Sequence, residues 1–175
     1  DSYDAARFDV RQLFKYQPVK LLGNLPYSAG GAIIKNFMKQ PSPVCKAVLM
    51  LQKEFIDRII AQTRTKAYGV LSLRMQSEWH SRPVKTIPPQ AFFPQPLIDS
   101  TVMVCDPRPE DLPVYDARLF DELVRRGFAQ RRKQVRKQMP ANRKWEDAAK
   151  LIGVVETARA EEISLEQWVE LTRYY

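Results

Sequence analysis

Four consecutive residues, Asn24-Leu25-Pro26-Tyr27, set an amide, a carbonyl fixed by the following proline and an aromatic ring directly after the apolar run Val19-Lys20-Leu21-Leu22-Gly23. At the end of a strand such a set can hold a flat heterocycle, because the amide and the carbonyl are hydrogen-bond acceptors and the ring is a stacking face. Open α/β sheets bind their ligands there, beyond the carboxyl ends of the strands. Asn and Pro are also ordinary turn formers and Tyr often caps a core, so on residue types alone a plain turn outweighs the functional reading.

A second chemical feature lies far downstream. Between Arg125 and Lys144 stand nine Lys or Arg residues (Arg125, Arg126, Arg131, Arg132, Lys133, Arg136, Lys137, Arg143 and Lys144) and no Asp or Glu, whereas Glu146 to Tyr175 carries seven carboxylates against three cations. Such segregation exceeds that of an ordinary solvated helix face, the competing reading. The cluster can neutralise several phosphates, with steeply salt-dependent binding. The formal charge of +8 likewise favours an anionic partner, nucleic acid or a membrane surface. His80 is the only histidine, and no Cys/His cluster exists, which argues against His-based triads and metal sites. Cys45 and Cys105 lie in apolar runs and read as buried thiols of a reducing compartment. No apolar stretch approaches the roughly 18 residues of a membrane span and nothing resembles a signal peptide, so the expectation is a soluble, cytoplasmic protein.

The elements that must position these residues follow from periodicity. Val19 to Gly23 reads as a strand, and Ser28 as the cap of a helix to about Lys39 with Ile33, Ile34, Phe37 and Met38 on one face. Gly30 and Gly31 weaken its first turn and admit a substrate or backbone close by. Cys45 to Leu51, apolar almost throughout, is a buried parallel strand, and strand, helix, strand makes a βαβ unit with a right-handed crossover. Helices are expected over Gln52 to Gln62, with Phe55, Ile56, Ile59 and Ile60 inward, and over Val70 to Trp79, with a short strand at Lys85 to Ile87. Gln90 to Pro96 holds too many prolines for helix or interior strand and predicts a rigid loop presenting aromatic faces. Leu97 to Cys105 closes as a strand, and Asp106 to Pro113 reads as a linker. Beyond it the pattern is helical, with Trp145, Leu151, Ile152, Ile163, Leu165, Trp168 and Leu171 as core.

Four stretches in the same order resemble the rRNA adenine N6,N6-dimethyltransferase family of the KsgA/RsmA type. They are Gly23 to Tyr27; Leu51-Gln52-Lys53-Glu54 with Lys66-Ala67-Tyr68-Gly69; Pro88 to Ser100; and Phe128-Ala129-Gln130-Arg131-Arg132-Lys133. Arg159 to Ser164 is similar to the family's closing helix. The resemblance implies an α/β fold: the C-terminal part of a Rossmann-like methyltransferase sheet over residues 1–107, then a small helical rRNA-binding domain over 108–175. It further implies S-adenosylmethionine as cofactor and adenosines of small-subunit (16S) rRNA as substrate, in ribosome assembly.

On this resemblance Asn24, Leu25, Pro26, Tyr27 and Phe92 form the catalytic set. An adenine amino group is a poor nucleophile because its lone pair is delocalised into the ring. The Asn24 side-chain oxygen and the Leu25 carbonyl would accept its two hydrogens, Pro26 would fix that carbonyl, and Tyr27 and Phe92 would cover the two faces of the base. Stacking contributes about 1 to 3 kcal/mol per base, and the base must leave its own stack to enter. Orientation then carries much of the rate, without a strong general base. Asp4, by itself a cap or turn aspartate, matches the family's cofactor contact, with Asn24 beside it. Arg125, Arg126, Arg131, Arg132, Lys133, Arg136 and Lys137 are the expected RNA contacts. No metal is expected.

The family's glycine-rich loop and the acidic residue that holds the cofactor ribose precede the Asp4-Ala5 element, and neither is in these 175 residues. Asp1 to Asp9 reads as the exit of a strand whose body lies upstream, so the expectation is a fragment, inactive by itself, whose first strand is an exposed sheet edge prone to self-association. The alternatives are a non-catalytic RNA-binding assembly or transcription factor on the same fold and a helix-turn-helix DNA binder reading Arg131 to Lys137. Large-subunit rRNA methyltransferases share much of the sheet chemistry; the helical tail argues for the small-subunit type.

Overall fold

Val44–Gln52 is apolar almost throughout because it lies inside the sheet. In the computed structural model, which describes residues 4–108 and 111–175, this strand (β2) runs parallel to β1 (Val19–Asn24) and antiparallel to β4 (Ser100–Pro107), and β3 (Trp79–Ile87) pairs antiparallel with β4 on the far side. The order β1-β2-β4-β3 leaves β1 and β3 as edges among the described strands. The strand reading of Asp1 to Asp9 lies partly outside the described residues; Asp4 to Arg7 is a turn closed by the Arg7 amide on the Asp4 carbonyl, 3.0 Å.

The chain divides into two compact units, Asp1–Ile60 with Glu78–Pro107, and Ala61–Ser77 with Arg108–Tyr175. In the first, α1 (Gly30–Met38) buries Ile33, Ile34, Phe37 and Met38, and α2 (Lys53–Ile59) buries Ile56 and Ile59, leaving Phe55 and Ile60 half-buried. Ser28 does not cap α1. The Pro26 carbonyl instead accepts from the amides of Ala29 (3.0 Å) and Gly30 (2.8 Å), so a backbone turn satisfies the donors a hydroxyl cap would take. Gly30 is buried, and a Cβ there would collide with the Leu51 side chain; the close approach it permits is to β2, not to a substrate.

The strand β3 is much longer than the Lys85 to Ile87 expected, and it begins at Trp79, which the periodicity predicts as the last residue of a helix. The Trp79 indole is buried and donates to the Met38 carbonyl at 2.6 Å, and pairing with β4 runs from Trp79 opposite Pro107 to Ile87 opposite Ser100. Tertiary pairing here overrides local propensity, and Pro83 is tolerated because the strand is an edge with a bulge beside it. The strand β4 starts later than expected, at Ser100, leaving Leu97 and Ile98 exposed. Cys105 is buried and Cys45 half-buried. Part of the Asp106 to Pro113 linker, Pro109 and Glu110, lies outside the described residues.

The second unit packs α3 (Val70–Glu78, as far as Ser77), α4 (Ala117–Ala129), α5 (Trp145–Ile152) and α6 (Leu165–Tyr174) around Trp168, Leu123, Ile163 and Leu171. Tyr68 ties the 61–77 segment into this core by donating to the Ile163 carbonyl at 3.0 Å, and burial pushes its phenol above the ordinary value. Asp116 caps α4 by accepting from the amides of Arg118 (2.8 Å) and Leu119 (3.1 Å), and Ser164 with Gln167 forms a capping box on α6. Gly127 is required for packing, since a Cβ there would stand 2.5 Å from the Trp168 ring. Leu151 is not a core residue but 57% exposed. The inward face of α5 is Trp145, Ala148, Ala149 and Ile152, a helical i, i+3, i+4, i+7 stripe that passes Leu151 by.

Candidate functional site: a cleft at one end of the sheet

The strand register brings four strand ends to the same end of the sheet. Asn24 ends β1 and Gln52 ends the parallel β2, while Ser100, at the start of antiparallel β4, stands opposite both Gln52 and Ile87, the end of β3. The proline-rich loop between Ile87 and Ser100 is therefore held beside the Asn24 to Tyr27 turn. Together Asn24, Leu25, Pro26, Tyr27, Phe92, Phe93, Pro94 and Pro96 line an open cleft of about 370 Å³. All five residues of the expected catalytic set thus share one cleft.

Each wall is fixed by identifiable contacts. The Leu25 amide donates to the Met50 carbonyl at 3.1 Å, continuing the β1–β2 ladder one residue past the strand, and the Leu25 side chain is buried. The Pro26 carbonyl is committed to the first turn of α1. The Tyr27 hydroxyl lies 2.7 Å from the buried Ser100 Oγ, so the ring is pinned at its far end while 38% of the residue remains exposed. On the opposite wall, the amides of Ala91 and Phe92 donate to the carbonyls of Pro88 and Pro89, both at 3.1 Å. The base of this loop is tied to α2 by the Lys53 amide on the Asp99 carbonyl at 2.9 Å. Among the described residues no group occupies the Asn24 side chain or the Leu25 carbonyl, which leaves both acceptors available to a ligand.

Asp4 is not one of the lining residues. Its carboxylate accepts from the Ala6 amide at 3.0 Å and faces Arg7 at 3.6 Å, a solvated turn arrangement. Among the described residues no group of His, Cys, Asp or Glu is arranged to hold a metal ion, and no helix is long and apolar enough to cross a membrane.

The basic segment is not one helix. After α4 it turns, makes a short 3-10 turn over Val135–Lys137 and is held by the Val135 amide on the Ala158 carbonyl at 2.9 Å. Its cations fall into two groups. Arg125 pairs with Asp121, Arg126 with Glu122 (2.8 Å) and Arg131 with Glu161 (2.6 Å), and Arg131 also donates to the Thr65 carbonyl at 2.9 Å. Arg132, Lys133, Arg136 and Lys137 are exposed and carry no carboxylate partner among the described residues. Burial raises the Asp121 carboxyl, but hydrogen bonds from Arg74 and Arg125 outweigh it and hold it below the ordinary carboxylate value.

Phe93, Pro94 and Pro96 line the cleft beyond the expected set, and Ser100, which does not line it, anchors Tyr27. The hydroxyl pairing depends on the β2–β4 register and leaves no local signal. Phe93 lies within the loop expected to present aromatic faces, but only Phe92 carries a role there.

A family model described as Ribosomal RNA adenine dimethylase matches residues 1–175. The chain is 39% identical over 161 residues to Ribosomal RNA small subunit methyltransferase A of Synechocystis sp., covering 87% of this chain and 57% of that protein. It is 32% identical over 176 residues to the protein of the same name from Francisella tularensis subsp. novicida, covering 98% and 66%. Among solved structures, a dimethyladenosine transferase from Plasmodium falciparum superposes with a TM-score of 0.72 at 20% identity, over 87% of this chain and 64% of that one. The 23S rRNA methyltransferase ErmE gives 0.64 at 23%, over 88% and 64%. These likenesses show a Rossmann-like methyltransferase fold, in keeping with the α/β class expected. The chain spans between 57% and 66% of the length of the two curated relatives.

Proposed function

Because the chain belongs to the ribosomal RNA adenine dimethylase family, we propose that the whole protein dimethylates the N6 amino groups of adenosines in small-subunit rRNA, with S-adenosylmethionine as methyl donor, in the cytoplasm. The observation that carries this reading is the convergence of Asn24, Leu25, Pro26, Tyr27 and Phe92 on one cleft at the carboxyl ends of the parallel strands. The two unoccupied acceptors, the Asn24 side-chain oxygen and the Leu25 carbonyl, suit the two hydrogens of an exocyclic amine. Accepting both draws the nitrogen lone pair out of conjugation and directs it away from the base plane. Tyr27, pinned by Ser100, supplies one stacking face and Phe92 the other, so binding the base also orients it.

The bound cofactor supplies an electrophilic methyl group. In this chain its contacts are Asn24 and Asp4, exposed polar side chains at the sheet's end and in the preceding turn. Asn24 lines the cleft, whereas Asp4 lies outside its lining, so its part in holding the cofactor rests on the family resemblance alone. We assign residues 108–175 to rRNA binding, with Arg132, Lys133, Arg136 and Lys137 as the phosphate contacts, Arg131 holding their segment through Glu161 and the Thr65 carbonyl, and Arg125 and Arg126, paired within α4, as further cations beside them. The exposed β1 edge is the surface through which this chain alone would self-associate.

The test is transfer of labelled methyl groups to small-subunit rRNA by the whole protein. Asn24→Ala is expected to lower transfer on the order of a hundredfold, the scale of a misplaced reacting group. Undiminished transfer would refute the assigned mechanism.

A further inference from the structure

Phe93 is fully exposed although it lines the cleft. Its ring therefore contributes almost nothing to the core, and an apolar ring of this size left in water calls for another account. Neighbouring residues hold the loop in place: Pro88, Pro89, Pro94 and Pro96 restrict its backbone, and the Phe92 amide is bonded to Pro89. A ring presented on so restricted a loop loses little conformational entropy when it binds.

A base that enters the cleft from a polynucleotide remains covalently linked to a nucleotide on each side, and those neighbours must pass over the rim. The rim carries an exposed aromatic face and, along the loop, no carboxylate before Asp99 to repel a phosphate. We infer that Phe93 is a second nucleobase platform, stacking the base of the nucleotide adjacent to the target adenine and so selecting single-stranded segments with a base at that position. This rests on the reading of the cleft as an adenine site. It gives Phe92 and Phe93 separate tasks: one meets the target base and the other its neighbour. Leu97, also fully exposed and on the same loop, does not line the cleft and has no such task.

The experiment is an NMR titration of this chain, carrying labelled Phe and Tyr rings, with a short single-stranded RNA holding one adenine between two guanines, and with the same RNA whose flanks are abasic. Ring-current shifts register weak binding as well as tight. The flanked RNA is expected to move both Tyr27 and Phe93 resonances, and the abasic-flanked RNA Tyr27 alone. Phe93→Ala should weaken binding of the flanked RNA on the order of tenfold and that of the abasic-flanked RNA far less. Phe93→Trp should restore it, and Leu97→Ala should change neither. A Phe93 ring that stays silent while Tyr27 shifts, or a Phe93→Ala loss equal for both RNAs, would overturn the inference and leave the adenine site standing. Silence of Tyr27 with both RNAs would overturn the adenine site and this inference with it.

Discussion

Replacing Tyr27 by Phe removes one oxygen and should be felt at both ends of the bond it makes. In the native cleft the Tyr27 hydroxyl lies 2.7 Å from the Ser100 Oγ, and Ser100 is only 1% exposed. A net hydrogen bond contributes about 1 kcal/mol, and a buried hydroxyl left without a partner costs about 1 to 3 kcal/mol. Tyr27→Phe strands the Ser100 hydroxyl and is expected to cost about 2 kcal/mol. Ser100→Ala strands only the Tyr27 hydroxyl, which can turn to water from its part-exposed position, and should cost about 1 kcal/mol. The double variant removes donor and acceptor together, so it should resemble Ser100→Ala, with a coupling energy of about 2 kcal/mol in magnitude. Because the chain has two compact units, a single unfolding transition is not assumed; amide exchange within β4, combined with urea titration, isolates the unit that holds the cleft. Adenine binding adds a second readout, since Tyr27→Phe keeps the stacking face and should weaken it less than Tyr27→Ala. Strict additivity of the two substitutions would refute the claim that this pair fixes the ring.

Neutralising Arg132, Lys133, Arg136 and Lys137 to Gln should weaken RNA binding and lower the slope of log affinity against log salt by roughly 3, about 0.7 per lost contact on a single strand; an unchanged slope would return these side chains to plain solvation. Asp121→Asn should destabilise the helical unit by about 1 kcal/mol at neutral pH, the scale of a partly exposed ion pair. The folded Asp121 carboxyl is held below its ordinary value, so its contribution is complete above the unfolded value of about 3.9 and fades as pH falls through the folded one. Urea titrations should therefore show the stability gap between the parent chain and the Asp121→Asn variant closing below about pH 4, and a gap that widens on acidification would contradict the ion-pair account.

What was legible in the sequence depended on the range of the interaction that settles each element. The strand β2 was readable because a strand flanked on both sides is apolar almost throughout, and α4 because its stripe of Phe120, Leu123 and Val124 repeats at helical spacing. The strand β3 was not, since His80, Arg82, Lys85 and Thr86 face solvent on an edge and the pairing with β4 is what makes the segment extended. Leu151 is apolar yet exposed, because its position on α5 lies off the stripe of Trp145, Ala148, Ala149 and Ile152. The cleft itself was legible in composition, Asn24 to Tyr27 and Phe92, while the contact that orients Tyr27 was not, because Ser100 lies 73 residues away in the chain. The same holds for Arg131, whose partner Glu161 is 30 residues on and removes it from the free cations.

These long-range contacts separate side chains that look alike in composition. Tyr27 and Phe93 are both aromatic residues of the cleft, yet one is tethered to the sheet and the other is bare. A tethered ring suits a base whose amino nitrogen must be placed for in-line transfer, because a displacement of about 1 Å can cost a hundredfold in rate. A bare ring on a proline-braced loop suits a neighbour that needs only to be stacked, where offset geometries are nearly equivalent. The basic segment divides the same way. Arg131 is bridged to Glu161 and to the Thr65 carbonyl and holds the chain that carries Arg132 and Lys133, so Arg131→Gln should disturb RNA binding through the placement of its neighbours rather than through the loss of one phosphate contact.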